Sequence, residues 1–116
     1  MYIGEVSKRT GLSVKAIRFY EVKGLIHKPQ RVGRYRVYQE TDIDILLLIK
    51  EAKELGVTLS QLKGVFVYTD GELDWLQVKL FLGDIKFQLQ SKILELQGKI
   101  NKIDECCDKM NIKNKA

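Results

Sequence analysis

The chain has 116 residues, 45% of them apolar and 30% charged, which suits one compact domain with at most one appended element and excludes disorder by composition. No apolar run exceeds the stretch from Ile45 to Ile49, far short of the ~20 residues that span a bilayer, so no membrane partner is expected. Of the net charge of +5, residues 1–36 carry nine Lys/Arg against two acids, and the remainder eleven against thirteen. Positive charge so confined marks one face built for a polyanion. The opening residues lack the apolar stretch of a signal peptide, so the expected compartment is cytoplasmic, with reduced thiols.

The first expected helix runs from Ile3 to Arg9, with Gly11 as its stop. Ser13 is placed to cap a second helix, Val14 to about Val22, with Ile17 facing inward. Two short helices around a glycine-containing turn form a helix-turn-helix pattern. Pro29 and Gly33 then punctuate two short extended runs, and residues 34–38 alternate charged with aromatic or apolar side chains. That alternation predicts a β-ribbon with a tight turn, a wing. A further amphipathic helix is expected over residues 40–55, with Gln39 or Thr41 as cap and a stripe of Ile45, Leu48, Ile49, Ala52 and Leu55. Thr58 should cap another short helix.

From Glu72 to Met110 there is no proline, and Leu82, Ile85, Leu89, Ile93, Leu96, Ile100, Ile103 and Cys107 recur mostly three or four apart. This heptad seam predicts one long helix that needs a partner helix, most simply in a homodimer. The expected organisation is mainly α: a winged helix-turn-helix domain over 1–70, a dimerisation helix forming a coiled coil over 71–110, and a polar tail over 111–116.

Candidate DNA-contacting residues are Lys15, Arg18 and Tyr20 on the second helix, and Arg31, Arg34, Tyr35, Arg36 and Tyr38 on the wing. Arginine can bond guanine bidentately, while Lys, Arg and Tyr can hold phosphates. The tyrosines have a second reading as core supports of the ribbon. Cys106 and Cys107 read either as seam residues or as soft-metal ligands; neighbouring helix positions point about 100° apart, so they cannot close a site alone. No metal is assigned to them and no cofactor is required. Trp75, Phe81, Phe66, Val67 and Tyr68 either line a ligand pocket or fill the junction before the long helix. No catalytic motif stands out, so no enzyme is expected.

Residues Tyr2 to Ser13, Ala16 to Glu21, Gly24-Leu25-Ile26, Gly33 to Tyr38, Asp42 and Leu55 to Leu59 together resemble the start of MerR-family regulators, over about residues 2–65. The resemblance implies a homodimer joined by an antiparallel coiled coil of the long helix, on an inverted repeat of double-stranded DNA between promoter elements, which bends and underwinds the duplex so that RNA polymerase can engage it. It also implies Lys15, Arg18 and Tyr20 as recognition-helix contacts, and Arg34, Tyr35, Arg36 and Tyr38 as wing contacts. The cysteine that metal-sensing members carry at the start of the dimer helix is missing around Asp74 and Trp75. An excisionase-like architectural protein that bends DNA is the alternative, and a coiled-coil interaction protein the third reading.

Overall fold

A computed structural model describes residues 1–114. In chain order it contains α1 (Ile3–Thr10), α2 (Val14–Val22), β1 (Gln30–Val32), β2 (Tyr35–Val37), α3 (Glu40–Glu54), α4 (Leu59–Val65), β3 (Tyr68–Thr69), β4 (Glu72–Leu73) and α5 (Trp75–Asn114). The chain divides into two compact units, residues 1–78 and α5 from Lys79 onward.

Local chemistry accounts for most boundaries in the first unit. Gly11 ends α1 in a left-handed conformation at φ 74°, where a side chain is disfavoured. A Cβ there would also meet Lys50 Nζ at 2.8 Å, because that ammonium donates to the Thr10 carbonyl across 3.1 Å. Ser13 caps α2 by accepting from the Ala16 N–H at 3.0 Å. Gln39 is the N-cap of α3, and its N–H donates to the Asp42 carboxylate at 2.8 Å. Thr58 and Gln61 form a reciprocal capping box at α4.

The core draws on all these helices. Val6, Ile17, Leu25, Ile26, Leu46, Ile49 and Leu62 are almost wholly shielded from solvent, and α1 packs on both α2 and α3. The stripe expected on α3 is shifted: Ile43 and Leu46 join Ile45, Ile49 and Ala52 in the core, whereas Leu48 is half-buried and Leu55 is exposed at the C-cap. A helix flanked by neighbours on two sides buries a wider arc than one stripe.

A second hairpin precedes the long helix, and its second strand occupies the positions at which the sequence pattern starts that helix. Asp70 and Gly71 both have positive φ, 54° and 80°, in the two-residue turn joining β3 to β4. This is the Asp-Gly chemistry of a tight hairpin turn. The hairpin anchors inward, with Tyr68 Oη donating to the Leu25 carbonyl at 2.6 Å and the Tyr68 ring stacked on His27 at 5.8 Å between centroids. Helix α5 then runs through residues 111–114, which had been expected to start a polar tail; residues 115 and 116 of that tail lie outside the described residues. Among the described residues, no helix is long and apolar enough to cross a membrane.

Burial, with a smaller contribution from the Asp42 charge, pushes the Tyr68 hydroxyl up to about 12. The folded state therefore holds that proton more tightly than the unfolded chain, and the stabilisation it provides is lost as pH rises from ~10 towards 12. Replacing Tyr68 with Phe should cost about 1 kcal/mol at neutral pH through the lost hydrogen bond. The difference between wild type and Tyr68→Phe should shrink as pH is raised through that window, read by urea unfolding at stepped pH.

Candidate nucleic-acid interface

Helix α2 is oriented by what it buries. Ile17 is fully buried and Tyr20 only 6% exposed, which leaves Lys15, Arg18 and Phe19 on the outer side. Lys23 Nζ lies 5.5 Å over the Phe19 ring. Tyr20, expected as a DNA contact, is thus a core residue. It lies three positions after Ile17 and shares its face.

The wing is the antiparallel β1–β2 hairpin, in the register Gln30↔Val37, Arg31↔Arg36 and Val32↔Tyr35. Gly33 occupies the first turn position at φ 62°, while Arg34 takes the second in an ordinary backbone conformation, as a II′-type turn requires. Arg31, Arg34 and Tyr35 are exposed, and the Tyr35 ring lies 5.4 Å from that of Tyr2 at an interplanar angle of 50°. The chain start braces the wing end, with Tyr38 N–H donating to the Met1 carbonyl at 2.7 Å and the Met1 amine donating to the Tyr38 carbonyl at 3.0 Å.

Tyr38 is 1% exposed, so of the two ribbon tyrosines this one is the core support and Tyr35 the surface one. Its hydroxyl donates to the Glu21 carboxylate at 3.3 Å. Burial first, and the Glu21 charge second, push it above the ordinary tyrosine range. Arg36 donates to the same carboxylate oxygen at 3.0 Å. The sequence reading had not singled out Glu21, whose side chain is only 5% exposed. An acid in a strongly basic segment was the available signal.

Arg18 from α2 and Arg31, Arg34, Tyr35 and Arg36 from the wing line one cleft of about 390 Å³, with Tyr2 and Ile3 completing its wall. Lys15 faces a separate shallow hollow beside Ser13, Phe19 and Lys53. A cationic cleft walled by aromatic rings suits an anionic polymer such as a nucleic-acid backbone.

The remaining candidates are not among the residues that line this cleft. Leu82 and Ile85 on α5 are half-buried, while Leu89, Ile93, Leu96, Ile100, Ile103 and Cys107 are exposed. Cys106 is likewise an exposed free thiol, and among the described residues no group of three or more His, Cys, Asp or Glu could hold a metal ion. Leu76, Leu80, Phe87 and Leu94, which the seam did not include, are also exposed. Of the aromatic junction, Phe66 is buried and Trp75 about half exposed.

A helix-turn-helix followed by an arginine-bearing hairpin defines a winged helix-turn-helix DNA-binding protein. Residues 1–69 match the pattern of the MerR HTH family regulatory protein, and the chain belongs to the MerR family of transcription regulators. It is similar to an HTH-type transcriptional regulator, slr0701, of Synechocystis sp., with 34% identity over 110 residues, covering 94% of this chain and 76% of the relative. The HTH-type transcriptional regulator CueR of Salmonella typhi is 33% identical over 117 residues, covering 95% and 76%. Among solved structures, the transcription regulator PbrR691 of Ralstonia metallidurans in complex with lead(II) superposes with a TM-score of 0.58 at 28% identity, covering 90% of this chain and 83% of that one.

The Ser13 cap secures the first turn of α2. Ser13→Ala should lower stability by about 1 kcal/mol, seen as a fall in the urea midpoint with an unchanged slope.

Proposed function

We propose that this protein is a sequence-specific transcription regulator that binds an inverted repeat in a promoter as a homodimer and distorts the duplex to control access by RNA polymerase. The observation that carries the reading is the cleft in which Arg18 of α2 meets Arg31, Arg34 and Tyr35 of the wing. A helix in the major groove with a ribbon beside it brings base-edge and phosphate contacts together. In this reading Lys15 and Arg18 face the groove, Arg31 and Arg34 hold the flanking backbone, and Tyr35 packs on sugar. Tyr20 and Tyr38, being buried, support the two elements instead. DNA bending fits the family, and its sequence-dependent cost contributes to site choice.

Dimerisation is proposed through the α5 seam, whose Ile93, Leu96, Ile100 and Ile103 are each more than half exposed in the single chain. The chain's relatives bear regulator names, one of them as a heavy metal-dependent transcription regulator of Rhizobium meliloti. The donor set here does not fit a metal site within one chain, since Cys106 and Cys107 are adjacent on a helix and diverge by about 100°. No cofactor is assigned.

Binding to duplex DNA should weaken steeply with salt, and Arg34→Gln should make the slope of log K against log salt shallower by about 0.9, the contribution of one phosphate. Arg18→Ala should weaken binding to a repeat selected from a random library about tenfold or more, and random duplex much less. Equal losses on both would exclude base reading by Arg18. Transcription from the selected promoter should change when the protein is added; an unchanged transcript would leave only the bending role.

Ile93→Asp should convert a dimer into a monomer in sedimentation equilibrium, because a charge placed in a coiled-coil seam is left buried and unpaired. A wild-type chain that sediments as a monomer at the same concentration would overturn the dimer.

A further inference from the structure

We infer that Glu21 is a positioning residue for DNA binding: its buried carboxylate ties Arg36 and Tyr38 of the wing to the recognition helix α2, so Arg36 serves as an internal strut and not as a phosphate contact. The inference rests on the DNA-binding reading above and assigns parts within it.

Three observations carry it. The Glu21 side chain is 5% exposed, yet it lies at the end of an otherwise cationic helix. A carboxylate so shielded requires partners, and both partners shown come from the wing: Arg36 Nη1 at 3.0 Å and Tyr38 Oη at 3.3 Å on the same oxygen. Arg36 also stands directly across the hairpin from Arg31. Like charges opposite one another destabilise a strand pair, and Glu21 neutralises one of the two, Arg36. The Arg36 side chain is 31% exposed and carries a carboxylate partner, whereas Arg31 is exposed.

The geometric consequence concerns the wing as a lever. A two-stranded ribbon is weakly stable alone and has few ways to hold an angle. Here its second strand is fixed to α2 by two hydrogen bonds on one carboxylate and to the chain start by the Met1–Tyr38 backbone pair. Arg31 and Arg34 are thereby held on the same cleft as Arg18 before any duplex arrives. Without that tie, the wing must be ordered at the moment of binding, and the entropy of ordering lowers affinity.

Electrostatics alone makes the opposite prediction, which gives the test its sign. Glu21→Gln removes a negative charge beside a polyanion site and frees an arginine, so charge considerations call for tighter binding. The strut calls for weaker binding. Affinity for a random-sequence duplex is measured by fluorescence anisotropy for wild type, Glu21→Gln, Arg36→Gln and the double variant, each below its own melting temperature, where a purely stabilising contact has no leverage on binding. Both single variants should lose affinity by about fivefold to tenfold, in keeping with a charge-assisted hydrogen bond, and the double variant should lose no more than either.

Glu21→Gln binding as tightly as wild type or tighter, or losses that multiply in the double variant, would overturn the strut. Should Glu21→Gln melt below the assay temperature, Tyr38→Phe takes its place. It deletes one hydroxyl and should weaken binding about twofold to threefold; unchanged affinity there would overturn the inference. A wild-type chain that binds no duplex at low salt would instead remove the DNA-binding reading itself, so the two failures are distinguishable.

Discussion

Ile17 and Tyr20 bury the inner side of a nine-residue helix, and successive residues of a helix lie about 100° apart. That burial leaves Lys15 and Arg18 no direction but outward. A helix of this length has little stability of its own, so its orientation is a property of the core beneath it, made by Val6, Leu46 and Ile49. The chemistry of the outer face is therefore set by packing on the inner one. The wing follows the same logic at smaller scale: Tyr38 is sunk into the core at the end of β2, while Tyr35, three residues earlier, is left at the surface beside Tyr2.

Collecting arginines on one cleft opposes the stability of the domain that carries them. Arg18, Arg31 and Arg34 raise the potential at the cleft and repel one another, while Arg36 beside them is paired with Glu21. Two acids, Glu40 and Glu21, each tie two elements through an arginine. Glu40 receives a bidentate pair from Arg9 at 2.6 and 2.7 Å, joining α1 to α3, and that hydrogen bond holds its carboxyl below the usual range. Both partners are solvent-exposed, so this pair adds little to stability. Glu21 differs in being buried, and removing it would leave its arginine facing a like charge. Among the described residues, no buried side-chain polar atom lacks a hydrogen-bond partner, so the domain carries its concentrated charge without an unsatisfied interior.

Features decided within a few residues were legible in the sequence. The Gly11 stop, the Ser13 cap and the Thr58 cap depend on neighbours three or four positions away, and Gly33 marked the wing turn. The β3–β4 hairpin was not read, although Asp70-Gly71 is a strong turn signal. Its strands are two residues each, too short to show alternation, and the absence of proline let the long helix absorb the second of them. The roles of the tyrosines could not be decided locally either, since Arg-Tyr alternation looks the same whether the ring faces a duplex or the core. What separates Tyr35 from Tyr38 is a contact with Glu21, a residue 17 positions before Tyr38. Long-range partners of that kind leave no spacing rule in the chain.

Helix α5 raises a constraint that one seam does not satisfy. The seam residues Leu89, Ile93 and Leu96 are exposed in the single chain, and so are Leu80, Phe87 and Leu94. Phe87 precedes Leu89 by two positions, which places it about 160° round the helix from it. A helix apolar on two opposite sides is suited to burial on both, whereas one partner helix covers only one. Towards the C-terminal end, Ile100 and Ile103 continue the seam while the opposite side turns to Asn101, Glu105 and Asp108. The two ends of α5 therefore place different demands on a partner: a simple helix pair suffices from about residue 96 onward, and the earlier part requires apolar cover on its far side as well. An isolated helix with this much exposed apolar surface would associate in water. With α5 paired as proposed, its stability depends on protein concentration in a way that the first unit, with its own core, does not.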